Sequence, residues 1–290
     1  MDKNSLALFC DAHFHLLPSE EALQGLPFLL GRAVTAAHSP QEFLAQEDRV
    51  KELNASAIPA PGNDNSSARL SPCAQPSSSR VLQSFGLHPQ APFSDERDFA
   101  LRLEFLEGLL RERRVQAIGE CGLDFFTQEF SAKRAAQEKA FAAQLEAAAR
   151  HKVPVVVHAR KAMQEIFAAA GALKKVPAVV FHSFAGSLAD ARSLLSKEIN
   201  AYFSFGKPIV NGAKKAINCV RALPIERLLF ETDAPYQTLK GEKATSPAEI
   251  ADVYQAAFEL RTAGIPYEAR PSFIDFSAEV EKNFRAVFGA

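Results

Sequence analysis

No tryptophan occurs in this sequence, methionine occurs only twice, and the cysteines are four: Cys10, Cys73, Cys121 and Cys219, far apart and without a CxxC pair. That spacing indicates neither a zinc knuckle nor a disulfide framework and reads instead as reduced thiols, with Cys10 and Cys121 packed as small apolar groups at strand ends. Charge of one sign is also lacking. Thirty-three basic and 34 acidic side chains leave a net charge of -1, so no global positive field draws the protein onto nucleic acid, and any phosphate recognition must be local. Long hydrophobic runs are absent from the N-terminus: MDKNSLALFCDAHFHL carries a five-residue apolar run before a charged, histidine-rich stretch. The run is too short for a signal-peptide core or a membrane span, so a cytoplasmic location and no membrane partner are expected. No GxSxG occurs, which removes the usual serine-hydrolase signature.

What is present is an apolar chain, 47% hydrophobic with 23 phenylalanines in 290 residues, long enough for one large α/β domain over 1–290. Short runs rich in Val, Ile, Leu and Phe alternate with stretches of helical period, the pattern of a parallel sheet covered by helices. Eight such runs are found, at residues 6–11, 32–36 (weak), 81–87, 115–119, 153–157, 178–181, 201–204 and 227–231. Eight parallel strands predict a (β/α)₈ TIM barrel. Helices are expected at 131–151 with Ser131 as cap, 187–197, 211–223 closed by Pro224, 247–262 behind Ser246, and 277–288. Residues 54–80, loaded with Ser, Pro, Ala and Asn, read as a long irregular insertion.

Five of the seven histidines, with a glutamate and an aspartate, fall where an expected strand meets a loop: His13, His15, His88, Glu120, His158, His182 and Asp233. His38 and His151 are read as lying off this rim. Taken singly, each has an ordinary reading, a neutral core histidine bonded to backbone or an exposed loop glutamate. Taken together they do not, because a (β/α)₈ barrel opens every strand onto one mouth. Asp11, His13 and His15 share a face by the period of two. Glu120, between Gly119 and Gly122, is the carboxylate best placed to bridge two cations. Asp233 is a second carboxylate able to ligate metal and to take a proton from water. Mixed imidazole and carboxylate donors accept Mg, Mn or Zn. Two such cations would polarise a phosphoryl or carbonyl oxygen and acidify water, which makes hydrolysis the natural reaction class.

The segments FCDAHFHL, FGLHP, AIGECGLDF, VPVVVHAR, VVFHSFAGS, AYFSFGKPI and LLFETDAPY, in this order, resemble the TatD family of metal-dependent hydrolases, often described as deoxyribonucleases, within the amidohydrolase-like barrels. The resemblance runs over residues 6–288. It implies one cation on His13, His15, Glu120 and Asp233 and another on Glu120, His158 and His182. It implies cleavage of DNA phosphodiesters from an end, with Asp233 orienting water and His88 near the substrate phosphate. The chain departs from the family in its weak second strand, in 54–80, and in lacking, in the loop after Asp233, the arginine that the family often places there, where Lys240 or Lys243 could stand in.

Around this centre Arg160, Lys161 and Lys207 could meet phosphate oxygens. Phe125 and Phe126 could stack on a base, or simply pack in their loop. The substrate is thus DNA or another phosphodiester held at the mouth, with no obligate protein partner. Two other readings stay open: an amidohydrolase acting on a C–N or ester bond, and a silent barrel that binds nucleic acid or protein.

Overall fold

In the computed structural model, residues 9–16, 30–55 and 81–289 are described; most of the segment at 54–80 lies outside them. Eight strands run in parallel and pair in sequence order, β1 (Phe9–Phe14), β2 (Leu30–Ala37), β3 (Val81–Phe85), β4 (Ala117–Asp124), β5 (Val155–Arg160), β6 (Val179–Phe181), β7 (Ala201–Phe205) and β8 (Leu228–Phe230). Past the end of β8, Asp233 N donates to His13 O at 3.0 Å and His15 N donates to Ala234 O at 2.7 Å. These bonds bring the last strand back to the first and give the expected TIM barrel.

Helices cover the outside: α1 (Pro40–Ala55), α2 (Glu96–Arg111), α3 (Gln128–Ala132), α4 (Arg134–His151), α5 (Met163–Ala168), α6 (Ala170–Leu173), α7 (Leu188–Ser196), α8 (Lys214–Ala222), α9 (Ile250–Thr262) and α10 (Phe273–Phe288). Strand side chains divide by the period of two. Phe85, Ile118, Val155, Val157, Phe181, Phe203 and Phe230 pack with the helices, while Val156, Val180 and Leu229 join Cys10, Ala12, Val34 and Leu82, with Phe284 and Phe288 of α10 against them. The second set determines where the chemistry goes: two residues beyond Val156, Val180 and Leu229 come His158, His182 and Glu231, with Asp233 two further on.

Several boundaries differ from expectation. The weak second run is a full eight-residue strand; its Ala33, Val34, Thr35, Ala36 and Ala37 are all buried, and small residues give little hydrophobic signal even when packed. The helix expected at 131–151 is broken at Lys133. Thr127, not Ser131, caps α3 by accepting from Phe130 N, and Ser131 Oγ donates instead to Phe125 O at 3.1 Å. The last helix begins at Phe273 behind Ser272, four residues before the expected start. Cys10, Cys121 and Cys219 are buried free thiols, as the spacing implied; Cys73 lies outside the described residues.

Candidate metal centre

Glu120 stands inside β4, not after it, and is 2% exposed. Two close backbone approaches seat it. A Cβ on Gly86 would lie 2.4 Å from Glu120 O, and one on Gly122, whose φ is +134°, would lie 2.1 Å from His158 O. Only glycine admits neighbouring strands that near.

Each oxygen of the Glu120 carboxylate faces its own three imidazoles. Oε2 lies 3.2 Å from His13 Nε2, 3.3 Å from His15 Nε2 and 3.1 Å from His38 Nε2. Oε1 lies 2.7 Å from His182 Nε2, 3.1 Å from His158 Nδ1 and 3.3 Å from His88 Nε2. Asp233 Oδ1 closes the first group, 3.7 Å from His13 Nε2 and 3.5 Å from His15 Nε2. Asp233 has a φ of +52°, a left-handed conformation costly for a non-glycine residue. Its backbone bond to His13 O and the 3.0 Å bond from Gln237 Nε2 to its Oδ2 hold it there.

The far nitrogens of the rings decide what the near ones offer. His158 Nε2 donates to Asp124 Oδ2 at 3.0 Å, so Nδ1 presents its lone pair to the centre. His182 Nε2 faces Glu120 Oε1 at 2.7 Å, and its Nδ1 has the Glu231 carboxylate 3.6 Å behind it, a charge contact longer than a hydrogen bond. A carboxylate behind an imidazole is the usual support of a metal-ligating histidine. His88 is the reverse: its Nδ1 accepts from Gln90 N at 3.3 Å, so the neutral ring carries its proton on Nε2 and faces the centre as a donor.

Burial by itself would raise the Glu120 carboxyl, but the imidazoles of His182, His88 and His13 outweigh it and hold the group well below the usual carboxylate range. Asp233 is lowered against burial by His15, His13 and His182. Burial also works against His15, yet the bonds to Asp233 and Glu120 raise it to about 9. His158 and His182 are raised against burial by Asp124 with Glu120 and by Glu120 with Glu231, respectively. Burial wins at His88, pulled down to about 4. In the cation-free centre an ionised Glu120 is thus ringed by imidazoles of which His15, His158 and His182 favour the protonated form and His88 the neutral one.

Among the described residues, five donor triads could hold a metal ion: His13–His15–Glu120, His13–His182–Asp233, Glu120–His158–His182, His15–His38–Glu42 and His38–His88–Glu120. The ring nitrogens of His13 and His15 are 3.3 Å apart, and those of His158 and His182 are 3.2 Å apart. A tetrahedral ion with bonds of about 2.0–2.1 Å has edges of about 3.3 Å, so both pairs fit one.

The family sequence profile described as TatD related DNase matches residues 10–289. The chain belongs to that family. A protein of Klebsiella pneumoniae (strain 342) named 3'-5' ssDNA/RNA exonuclease TatD is 32% identical over 213 residues, 70% of this chain and 75% of that one. An uncharacterized metal-dependent hydrolase of Bacillus subtilis is 30% identical over 190 residues, 62% of this chain and 70% of that one. The crystal structure of a TatD homologue from Escherichia coli, 24% identical, superposes with a TM-score of 0.73 over 99% of this chain and 100% of that one; it speaks for the fold alone. With TatD membership comes the enzyme class, a metal-dependent hydrolase.

All seven rim residues expected from the sequence of this TatD-family chain meet at the mouth. One expectation is overturned: His38, read as off the rim, stands at the end of β2 on Glu120. The signal was there to find. Ser39 Oγ accepts from Glu42 N at 3.1 Å, and Glu42 Oε2 accepts from His38 N at 2.8 Å. Ser39, Pro40 and Glu42 thus mark the start of α1 and put His38 at the strand end. Asp124 and Glu231 were likewise unassigned, although the period of two places Glu231 with Asp233. Asp11 lies beside the histidines but turns away, accepting from His13 N, Thr232 N and Thr232 Oγ1 at 3.2, 3.1 and 2.6 Å. Lys207, expected as a phosphate contact, is 3% exposed and bound to Glu242 and Glu249. Among the described residues no helix is long and apolar enough to cross a membrane.

Proposed function

We propose that this chain is a phosphodiesterase that cleaves nucleic acid with two divalent cations. The observation that carries this is the division of six imidazoles between the two oxygens of Glu120. His13, His15, Glu120 and Asp233 would hold one cation and Glu120, His158 and His182 the other. Mixed N and O donors suit Mg, Mn or Zn. Once bound, the cations supply Lewis acidity toward a phosphoryl oxygen and acidify water. The chain's own groups do the rest. Asp233, kept ionised, accepts a proton from the attacking water. His88, neutral and bearing its proton on Nε2, donates to a phosphoryl oxygen without needing to be charged. Glu231 and Asp124 keep the ligating rings in register.

The relatives named as 3'-5' exonucleases of single-stranded DNA and RNA make a single-strand end the favoured substrate. A carboxylate at the bridging position of β4 separates this centre from one built on a carbamylated lysine, and weighs against cyclic amides as substrates. The test is to strip the protein with chelator, reload it separately with Mg, Mn and Zn, and assay single-stranded DNA, RNA, duplex and a cyclic amide. Activity is expected on single strands, to vanish with chelator and with Glu120→Ala. Turnover of the amide alone, or full nuclease activity in Glu120→Ala, would refute the reading.

A further inference from the structure

Beyond the metal centre, the turn after β4 separates two adjacent phenylalanines. Phe125 is buried at 8% exposure, with the Arg134 guanidinium 3.9 Å from its ring centre. Phe126 is 46% exposed. Arg160 Cζ, at the end of β5, lies 3.7 Å from the Phe126 ring centre, and Lys161 Nζ lies 4.7 Å from it. Phe126 is also tied to the centre: its N–H donates to Asp124 Oδ1 at 2.8 Å, while the other oxygen of that carboxylate accepts from His158. An aromatic ring thus stands at the mouth on the same carboxylate that orients a proposed cation ligand.

We infer that Phe126, Arg160 and Lys161 form a nucleotide subsite, in which a base stacks on the Phe126 ring and the adjoining phosphate meets the two cations. This rests on the phosphodiesterase reading and adds the residues that hold the strand. Three observations support it. Phe126 keeps 46% of its surface exposed although Arg160 and Lys161 lie against its ring, and base stacking on aromatics is indifferent to sequence and requires an unpaired base. A guanidinium lying over a ring keeps its N–H edges available for phosphate. With a net charge of -1, phosphate must be met by local cations. Lys207 is consumed by Glu242 and Glu249, whereas Arg160 and Lys161 are exposed and have no carboxylate partner among the described residues.

The test measures binding and cleavage separately. A fluorescein-labelled oligothymidylate protected by terminal phosphorothioates is titrated by anisotropy against the cation-loaded protein and its variants. Phe126→Ala is expected to weaken binding about tenfold, near the low end of what base–aromatic stacking contributes. Phe126→Tyr should restore it and Phe126→Leu should not, since leucine keeps the bulk but lacks the π face. Arg160→Gln should reduce the slope of log affinity against log salt by about one. Binding within twofold of the parent in Phe126→Ala, or rescue by leucine equal to that by tyrosine, overturns the subsite. Cleavage of the unprotected strand by the parent is followed in parallel. Its absence, with the Phe126 effect on binding intact, would defeat the phosphodiesterase reading alone, and no binding by the parent would defeat both.

Discussion

Asp124 Oδ2 accepts from His158 Nε2 at 3.0 Å, and its other oxygen accepts from Phe126 N at 2.8 Å. Those bonds, with one from Gln90, overcome burial and bring the Asp124 carboxyl down to about 2. It therefore stays ionised and fixes the tautomer of His158 with the lone pair on Nδ1. Asp124→Asn keeps the shape but can turn an amide N–H toward His158 and reverse that tautomer. Cation affinity is expected to fall about 10–100-fold, the usual cost of losing such support, with little change in melting temperature of the cation-free protein. Isothermal titration with zinc reads it, and unchanged affinity would mean that His158 does not act through Nδ1.

His38 adds a sixth imidazole to Glu120 from outside both proposed ligand sets, its ring 4.6 Å from that of His88 and 5.1 Å from that of His15. It belongs to two donor triads of its own, His15–His38–Glu42 and His38–His88–Glu120, but the 3.1 Å contact of its Nε2 with Glu120 leads us to propose that it sets the carboxylate's position. His38→Ala is expected to keep two cations per chain by elemental analysis while lowering turnover about tenfold, and His38→Asn, which keeps a donor, to recover part of it. Loss of a cation in His38→Ala would make this histidine a ligand.

How much of this was legible in the sequence follows from where side-chain identity alone fixes position. Val155 to Val157 and Val179 to Phe181 are dry runs with one reading, so His158 and His182 could be placed at once. The second strand is built of Ala33, Val34, Thr35, Ala36 and Ala37, buried without being strongly apolar, and its weak signal concealed His38. Asp124 was hidden for a different reason. The expected strand stopped at Gly119, whereas β4 continues to Asp124, and a residue placed in a loop gives no reason to look for it behind a ligand. Lys207 shows the opposite limit: sequence puts a cation near the mouth but does not reveal the two carboxylates that occupy it.

The centre of the chelated protein should respond to pH with a definite sign. His15 is raised from its ordinary 6.5 to about 9, and His158 and His182 are raised as well. The folded, cation-free protein therefore binds more protons than the unfolded chain between these values. The stability these three rings supply is complete below about pH 6.5 and is lost as pH rises through about 9 for His15. Cations need the same nitrogens deprotonated, so loading at neutral pH must release protons. Melting temperature of the chelated protein is expected to fall from pH 6.5 to 9 while that of the loaded protein holds, widening the gap between them. Scanning fluorimetry across that range checks the trend, and calorimetric titration in buffers of different ionisation enthalpy checks the release. A gap that narrows with rising pH would contradict the assigned directions.

Asp11 carries a different prediction, because its fully buried carboxyl, which burial raises to about 8, binds no histidine ring. It accepts from His13 N, Thr232 N and Thr232 Oγ1, joining β1 to the segment beyond β8 where the barrel closes. Removing it in Asp11→Ala leaves three donors without an acceptor in a dry interior. Each such group costs about 1–3 kcal/mol, partly relieved by rotation of the Thr232 hydroxyl. A loss of about 2–4 kcal/mol is expected, seen as a melting temperature lowered by several degrees. Thr232→Val removes only one of the three bonds and should cost about 1 kcal/mol. Because Asp11 also fixes the backbone of His13, the alanine variant should bind its first cation more weakly than Thr232→Val does. Calorimetry on both variants, with and without zinc, separates closure from ligation: equal losses in the two would show that Asp11 contributes no more than its bond to the threonine hydroxyl.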